Sequence, residues 1–361
     1  MHWIGWIMTH TEPFLLNCDL NDSRQERADE LEARLVKHAE DLRFMSRERS
    51  TKGPFGLLKH DMEKIHRRID RLLGPKPVNT RSTGHLKRQE KDRLKNVVGG
   101  GEVRSFTSHH KIDEVVSQLF EEMPWMDEAL EPLMNDLHRF HDREGRIGFR
   151  PMILVGPPGI GKSHLAARLA ELTKLPNCVV DVGAATDGFR IAGMTRGWSS
   201  SEPGRPIETI LDSRIINPII TVDEICKSGI IESTNGATTS VLHALLGLIE
   251  PMSARSWECP FYKLAFDMSR ISWIMTANRL DTIPEPLRTR CRIVRLSGMS
   301  VDELMFAAHD IGCDRKLEES AIEPLRGLLA SYPEGHHSLN LRTVTRLIEG
   351  LEAVQARPMV H

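Results

Sequence analysis

The stretch "MILVGPPGIGKSHLAARLAEL" (residues 152–172) joins an apolar run, a glycine-rich loop and an amphipathic run. The apolar run predicts a strand, and the segment from Ser163 onward predicts a helix. Between them, "GPPGIGKS" (156–163) has the spacing GxxxxGK[ST] in the context that this motif requires. In such a loop the backbone N–H groups and the helix N-terminus bind phosphate oxygens. The stretch therefore predicts a nucleotide-binding loop in an α/β fold.

Two side chains of this loop carry the predicted chemistry. Lys162 places a positive charge on the β- and γ-phosphates, and the hydroxyl of Ser163 can bind Mg²⁺. The predicted cofactors are accordingly ATP and Mg²⁺. The predicted nucleotide-binding set of the loop is Gly156, Pro157, Pro158, Gly159, Ile160, Gly161, Lys162, Ser163 and His164.

A second motif, "PIITVDEI" (218–225), is an apolar strand that ends in two carboxylates. Asp223 is predicted to hold Mg²⁺ with Ser163, directly or through water, because this hard cation prefers oxygen ligands. Glu224 is predicted to polarise the attacking water as a general base. A strand-end Asp-Glu alone could be a helix cap, but together with the phosphate loop it predicts ATP hydrolysis.

A third motif, "SWIMTANRLDTIPEPLRTRCRIV" (272–294), places a polar residue after another predicted strand. The side chain of Asn278 could orient water against the γ-phosphate. Arg288 and Arg290 follow near the end of a predicted helix, and by themselves they are interpreted as solvated surface residues.

Short apolar runs alternate with helical patterns through the middle of the chain, which predicts a parallel five-stranded sheet flanked by helices. We assign residues 101–297 to this α/β domain, 298–361 to a small helical lid and 1–100 to a charged helical region with a linker. The lid opens with Ser300 and Glu303 at capping-box spacing. The predicted strands are residues 152–155, 178–182, 219–222, 271–276 and 292–296.

The N-terminal region is mostly charged. Residues 22–45 are predicted to be helical, and a second helical pattern starts at residue 60 and stops at Gly74-Pro75. Residues 51–100 carry thirteen Lys and Arg against five Asp and Glu. This basic segment is either a solvated helical hairpin or an arm that docks a partner or nucleic acid. The apolar start "MHWIGWIMTH" (1–10) is predicted to be a packing strand and not a membrane anchor, because it is too short to span a bilayer.

The composition excludes several classes of protein. The net charge is −2, so no overall field attracts nucleic acid or membrane. The six cysteines contain no CxxC pair, which favours reduced thiols in the cytoplasm and argues against a zinc site. The sixteen histidines contain no HExxH motif and no paired ligand spacing. We therefore expect no metal beyond the one that accompanies a nucleotide.

Taken together, these motifs resemble those of AAA+ ATPases, and most closely the ATPase module of Lon-type proteases. The resemblance covers roughly residues 104–358, where the motifs occur in the family's order: "GPPGIGKS", "DEICKSG", "LLGLIEP", "LAFDMS", "TANRLDTIPEPLRTR" and "NLRTVTR". It implies that Lys162 and Ser163 belong to Walker A, Asp223 and Glu224 to Walker B, and Asn278 to sensor 1. It also implies that Arg290 is the arginine finger and Arg342 the sensor-2 arginine.

The resemblance further implies a substrate-gripping loop at the axial pore of a ring, most commonly a hexamer. Lon-type modules carry an aromatic residue there, and the matching pattern in this sequence is Gly193, Arg196, Trp198, Pro203 and Gly204. Trp198 could instead pack on its own domain. The family's peptidase domain is not expected here, because about twenty residues follow Arg342, and its substrate-binding domain is not recognisable in residues 1–100.

Three functions remain open at this stage. The first is an oligomeric, ATP-driven protein remodeller or unfoldase without a protease of its own. The second is a nucleic-acid motor or loader on the same fold that uses the basic 51–100 segment. The third is a nucleotide-dependent switch with little turnover, against which Glu224 and Arg290 argue. The fold alone does not decide between them.

Overall fold

The structure is a computed structural model that describes residues 7–16, 23–47, 59–73, 83–182, 188–196, 201–227, 241–333, 335–336 and 338–355. The chain divides into two units, one formed by Asn17–Val98 and the other by Met1–Leu16 together with Gly99–His361.

Strands and helices alternate through the larger unit. The strands are β1 (Ile7–Glu12), β2 (Leu15–Leu16), β3 (Gly101–Phe106), β4 (Met152–Val155), β5 (Asn177–Asp181), β6 (Ile219–Asp223), β7 (Trp257–Cys259), β8 (Leu264–Phe266), β9 (Ser272–Ala277) and β10 (Arg292–Arg295). The helices of both units are α1 (Ser23–Arg47), α2 (Lys59–Leu73), α3 (Arg88–Val98), α4 (His109–Glu122), α5 (Asp127–Glu144), α6 (Lys162–Thr173), α7 (Phe189–Ala192), α8 (Arg205–Ser213), α9 (Val241–Ile249), α10 (Pro251–Ala254), α11 (Glu285–Arg288), α12 (Val301–Asp314), α13 (Glu319–Ile322), α14 (Leu325–Ala330) and α15 (Leu341–Gln355).

The centre of the larger unit is a parallel five-stranded sheet in the order β10-β4-β9-β6-β5. Its strands are the five that the sequence predicted, so the predicted fold class is confirmed. All six residues of β9 are buried and so are the first four of β6, as expected for strands covered by helices on both faces. Because β4, β9 and β6 are neighbours, their carboxyl ends meet at one edge of the sheet.

The C-terminal helices share one apolar core with the α/β part. Leu304 and Met305 of α12 and Val344 of α15 belong to the same buried cluster as Leu154 of β4. The predicted capping box is present at the start of α12: the Ser300 N–H donates to Glu303 Oε2 at 2.7 Å, and the Glu303 N–H donates to Ser300 Oγ at 3.2 Å. The predicted lid is therefore helical in its described residues.

The N-terminal strands belong to the α/β unit and not to the charged helical region. β1 pairs with β3 in antiparallel register, and β2 pairs with β8. Phe14 is fully buried, with its ring centroid 5.3 Å from that of Phe266. A packing strand was predicted for residues 1–10, and residues 7–10 are indeed in β1, while residues 1–6 lie outside the described part. Nothing local in the sequence indicates which distant strands would pair with this segment.

The smaller unit contains α1, α2 and α3. The predicted helical stripe of α2 buries Ile65 and Ile69, whereas Leu72 is exposed. His66 Nε2 of α2 lies 3.2 Å from Glu32 Oε1 of α1. No helix within the described ranges combines the length and the apolar composition required to cross a bilayer.

Candidate active site

The phosphate loop connects β4 to α6 and has the conformation that only glycine adopts readily. Gly159 and Gly161 have φ angles of +80° and +100°, which would strain any residue with a side chain. Space at Gly159 is also tight, because an added Cβ would lie 3.1 Å from the Cβ of Asn340. The loop is held against the sheet by the Gly156 N–H, which donates to the Ala277 carbonyl at 3.1 Å.

Lys162 is the first residue of α6 and is almost completely buried, with 7% of its surface exposed. Its Nζ donates to the carbonyls of Gly156 at 2.6 Å and Pro157 at 2.7 Å, and to Asn278 Oδ1 at 3.1 Å. All three acceptors are neutral oxygens. Burial lowers the pKa of Lys162 to about 8, although the negative charge of Asp223 opposes that shift. The site therefore holds a buried cation with space for an anion.

The carboxyl end of β6 supplies the acidic side chains. Ser163 Oγ donates to Asp223 Oδ1 at 2.9 Å, and the Thr276 hydroxyl donates to the same oxygen. Glu224 has a φ of +55°, a left-handed conformation that is uncommon for a non-glycine residue. Its N–H donates to Thr276 Oγ1 at 3.0 Å. Thr276 thus fixes both carboxylate residues, a role that the sequence analysis missed.

Most of the predicted site residues converge on one cleft of about 210 Å³. Asn278 enters it from the end of β9. Its backbone N–H donates a weak hydrogen bond to Cys226 Sγ, with the nitrogen and the sulfur 3.4 Å apart. The cleft is lined by Pro158, Gly159, Gly161, Lys162, Ser163, His164, Asp223, Glu224, Thr276, Asn278 and Arg342.

Arg342 reaches the cleft because α15 begins directly at the phosphate loop. The Leu341 N–H donates to the Gly159 carbonyl at 2.9 Å. Asn340 caps the helix, since its Oδ1 accepts from the Thr343 N–H at 3.0 Å. The C-terminal helix and the phosphate loop are therefore linked by a direct hydrogen bond one residue away from Arg342.

A second contact to the loop comes from Trp125, which lies in a 3₁₀ turn (Pro124–Met126) before α5. Its indole Nε1 donates to the Ile160 carbonyl at 2.8 Å. Its ring meets that of Phe306 of α12 edge-on, with centroids 6.5 Å apart. Trp125 thus touches both the phosphate loop and the C-terminal helices. No recognisable motif surrounds Trp125, so the sequence does not predict this role.

Five of the predicted site residues that the structure describes do not line the cleft: Gly156, Pro157, Ile160, Arg196 and Arg290. Arg290 is half-exposed; its Nε donates to Glu250 Oε2 at 2.6 Å and its Nη1 to the Pro286 carbonyl at 2.8 Å. The Arg196 guanidinium lies 4.6 Å from the centroid of the Phe261 ring, and its Nε donates to the Phe261 carbonyl at 3.1 Å. Trp198 falls outside the described residues.

The base of the predicted pore loop is closed by backbone contacts. Gly193 and Pro203 form an isolated antiparallel bridge, and the Met194 N–H donates to the Glu202 carbonyl at 2.9 Å. The contact of Arg196 with Phe261 anchors the described start of the loop. Arg196 thus contacts Phe261 of its own domain, and its role toward a substrate stays a prediction.

Comparison with known proteins agrees with this geometry. Residues 152–299 match the family described as "ATPase family associated with various cellular activities (AAA)". The Lon protease of Magnetococcus marinus is 32% identical over 180 residues, which cover 50% of this chain and 22% of that protein. Lon protease 4 of Sorangium cellulosum is 28% identical over 213 residues, or 59% of this chain and 26% of that protein.

The similarity to these relatives thus spans about a quarter of their length or less. Among solved structures, a mutant of Thermotoga maritima RuvB superposes with a TM-score of 0.43 at 19% identity, covering 64% of this chain and 65% of that one. The resemblance to a Lon-type ATPase module, drawn from the motifs, is confirmed by the sequence relatives.

Proposed function

We propose that the protein, whose residues 152–299 match the AAA family of ATPases, is a ring-forming, ATP-driven motor that remodels other proteins. One observation carries the proposal: a single cleft gathers Lys162, Asp223, Glu224 and Asn278 with Arg342 of the C-terminal helices. In this proposal Lys162 binds phosphate, and Glu224 with Asn278 activates water. Arg342 adds a contact from the C-terminal helices.

The chain's residues fit ATP and Mg²⁺. The buried Lys162 ammonium is surrounded by neutral oxygens, so phosphate oxygens would supply the missing negative charge. Ser163 and Asp223 place two oxygens 2.9 Å apart, the donor type that Mg²⁺ prefers. When bound, Mg²⁺ would neutralise charge on the phosphate oxygens.

The remaining cleft residues act on water and on orientation. Glu224 is the general base that accepts a proton from the attacking water, and Asn278 orients that water. Thr276 holds Glu224 in its left-handed conformation through the backbone N–H. Arg342 adds a positive charge on the side of the C-terminal helices, so that nucleotide binding and helix position are coupled.

The position of Arg290 is the argument for assembly into a homo-oligomer. It does not line the nucleotide cleft of its own chain and instead pairs with Glu250. We infer that it exchanges this partner for the nucleotide of a neighbouring copy and that the ring is a hexamer, as the family resemblance implies. An arginine finger of this kind contributes about 10³–10⁵ in turnover.

The loop from Gly193 to Pro203 is the argument for a protein as the substrate. Its base is fixed by the bridge between these two residues and by the Arg196–Phe261 contact, which would leave the segment with Trp198 to contact an extended polypeptide. We place the protein in the cytoplasm because the described cysteines are free thiols. We also expect a chaperone-like role, with or without a separate protease as partner.

The substrate class is tested by measuring the ATPase rate with an unfolded protein, with single-stranded DNA and with duplex DNA as separate additions. We expect the unfolded protein to raise the rate, Trp198→Ala to remove this stimulation and Trp198→Phe to retain it. Stimulation by DNA that weakens steeply with salt would instead favour a nucleic-acid motor that uses the basic 51–100 segment. No turnover under any condition would favour the nucleotide switch.

A further inference from the structure

A cluster of histidine and aspartate side chains joins α4 to α5 outside the nucleotide cleft. His109 is the first residue of α4 and Asp113 follows one turn later, while His138, His141 and Asp142 lie in the last two turns of α5. No paired histidine spacing is visible in the sequence, which predicts no such site. The pairing arises between helices, so it is not visible as a linear motif.

The five side chains form a connected set. His109 Nε2 lies 2.9 Å from Asp142 Oδ1, and His109 Nδ1 lies 2.8 Å from His138 Nδ1. His138 Nε2 lies 2.9 Å from Asp113 Oδ1. His141 meets the His109 ring edge-on with centroids 5.0 Å apart, and its Nδ1 is buried without a hydrogen-bond partner among the described residues.

The contacts in this set require more hydrogens than two neutral imidazole rings carry. Three contacts involve the four ring nitrogens of His109 and His138, and each contact requires one hydrogen if it is a hydrogen bond. Two neutral imidazoles carry only two hydrogens. Two neutral rings therefore cannot make all three contacts as hydrogen bonds. The neighbouring His141 Nδ1 is also buried without a partner among the described residues, which is unfavourable for a ring nitrogen.

A metal ion at His109 Nε2 would relieve the shortage of hydrogens. His109 would then keep its single hydrogen on Nδ1 and donate it to His138 Nδ1, and His138 would donate its Nε2–H to Asp113. The second nitrogen of the metal-binding ring would thus be oriented by His138, which Asp113 in turn holds in place.

We propose that His109, His141 and Asp142 bind a divalent transition-metal ion of borderline softness, such as Zn²⁺. Their donor atoms lie within 4.8 Å of one another, whereas ligands about 2.0–2.1 Å from a tetrahedral ion would be about 3.3 Å apart. The donor atoms can move closer to reach this spacing, because the side chains of His109 and Asp142 are 53% and 57% exposed. Two imidazoles and a carboxylate suit Zn²⁺ and related ions, and Mg²⁺ and Ca²⁺ favour all-oxygen sites.

Metal titration of the full-length, chelator-treated protein tests this proposal without reference to ATPase activity. Co²⁺ is added in excess Mg²⁺ and without nucleotide, its visible absorption is followed, and Zn²⁺ is then used to displace it. We expect one Co²⁺ per chain with the intense absorption of a low-coordinate nitrogen and oxygen site. We also expect Zn²⁺ to raise the melting temperature, because it links α4 to α5.

Matched variants separate this site from other metal-binding groups. His109→Gln and Asp142→Asn should each weaken Co²⁺ binding by at least about tenfold. Asp113→Asn should weaken it less, because Asp113 reaches the ligand His109 only through His138. His110→Gln is the control, because His110 is 77% exposed on the same helix and pairs with Glu114. It should bind Co²⁺ like the unmodified protein.

Three results would overturn the proposal. The first is equal Co²⁺ affinity in the unmodified protein and in His109→Gln, whose half-exposed position at the helix start makes misfolding an improbable complication. The second is a thiolate charge-transfer band, which would assign the metal to cysteine. The third is a weak six-coordinate spectrum that Asp142→Asn leaves unchanged.

Discussion

Lys162 gives the site a pH dependence that can be worked out from its environment. Burial lowers its pKa to about 8, so without nucleotide it loses its proton as the pH rises through that value. Phosphate binds the charged form and must restore the proton at higher pH. ATP affinity should therefore be constant below about pH 7.5 and fall about tenfold per pH unit well above pH 8.

Nucleotide titrations between about pH 7.5 and 9.5, where the phosphates are fully ionised, measure this profile. Lys162→Arg stays charged throughout, so its affinity, whatever its absolute value, should not show the decline. An affinity of the unmodified protein that is flat across this range would contradict the assignment of Lys162. The same linkage predicts that the nucleotide-free fold gains stability as the pH rises above about 8, because the folded state binds this proton less tightly than the unfolded chain.

Thr276 is the residue whose importance the sequence did not indicate. Its hydroxyl accepts from the Glu224 N–H and donates to Asp223. Thr276→Val keeps the shape but removes both hydrogen bonds, and a hydrogen bond to a charged group contributes about 1.5–3 kcal/mol. We expect turnover to fall by roughly 10–100-fold while ATP still binds, because Lys162 is untouched.

Thr276→Ser is the matched control, since it retains the hydroxyl and should keep most of the activity. Steady-state turnover and nucleotide titration on the two variants are sufficient. Equal turnover in Thr276→Val and Thr276→Ser would show that Glu224 does not depend on this contact.

At the scale of elements, the start of α15 determines whether the C-terminal helices communicate with the nucleotide. Asn340 caps this helix through the Thr343 N–H, and the next residue donates to the Gly159 carbonyl. Asn340→Ala removes the cap, which costs about 0.5–2 kcal/mol of stability. Since Arg342 lies in the first turn, ATP affinity should fall as well.

Asn340→Asp retains a capping oxygen and should preserve the stability that Asn340→Ala loses. Chemical unfolding and ATP titration of both variants measure the two effects. If Asn340→Ala loses stability without any loss of ATP affinity, α15 is a structural element only.

The elements that the sequence predicted correctly are those defined by local patterns. The five sheet strands, the phosphate loop and the capping box of α12 depend on residues close together in the chain. The contacts that were missed join distant segments: Trp125 and Ile160 are 35 residues apart, and Thr276 and Asp223 are 53 apart. Neither pair leaves a periodic or motif-like signal, so only the packing of the sheet and helices brings them together.

At the scale of the whole molecule, the proposed ring would place each active site between two subunits. Each cleft contains its own Glu224 but not its own Arg290, which pairs with Glu250 on the surface. Specific ATPase activity should therefore rise with protein concentration as subunits assemble. Arg290→Ala should bind ATP and lose about 10³–10⁵ in turnover. Sedimentation or light scattering across the same concentrations links the rate to the assembly state, and full activity in a monodisperse monomer would contradict this model.

Mixing two inactive variants tests the central claim most directly. Glu224→Gln lacks the base but can lend Arg290 to a neighbour, whereas Arg290→Ala lacks the finger but keeps an intact base. If the sites are shared, each protein alone should be nearly inactive, and mixtures should recover ATPase activity in proportion to the number of interfaces that pair the two variants. Failure to recover activity at any mixing ratio, with mixed assemblies shown to form, would contradict an ATP-driven ring whose active sites lie between subunits.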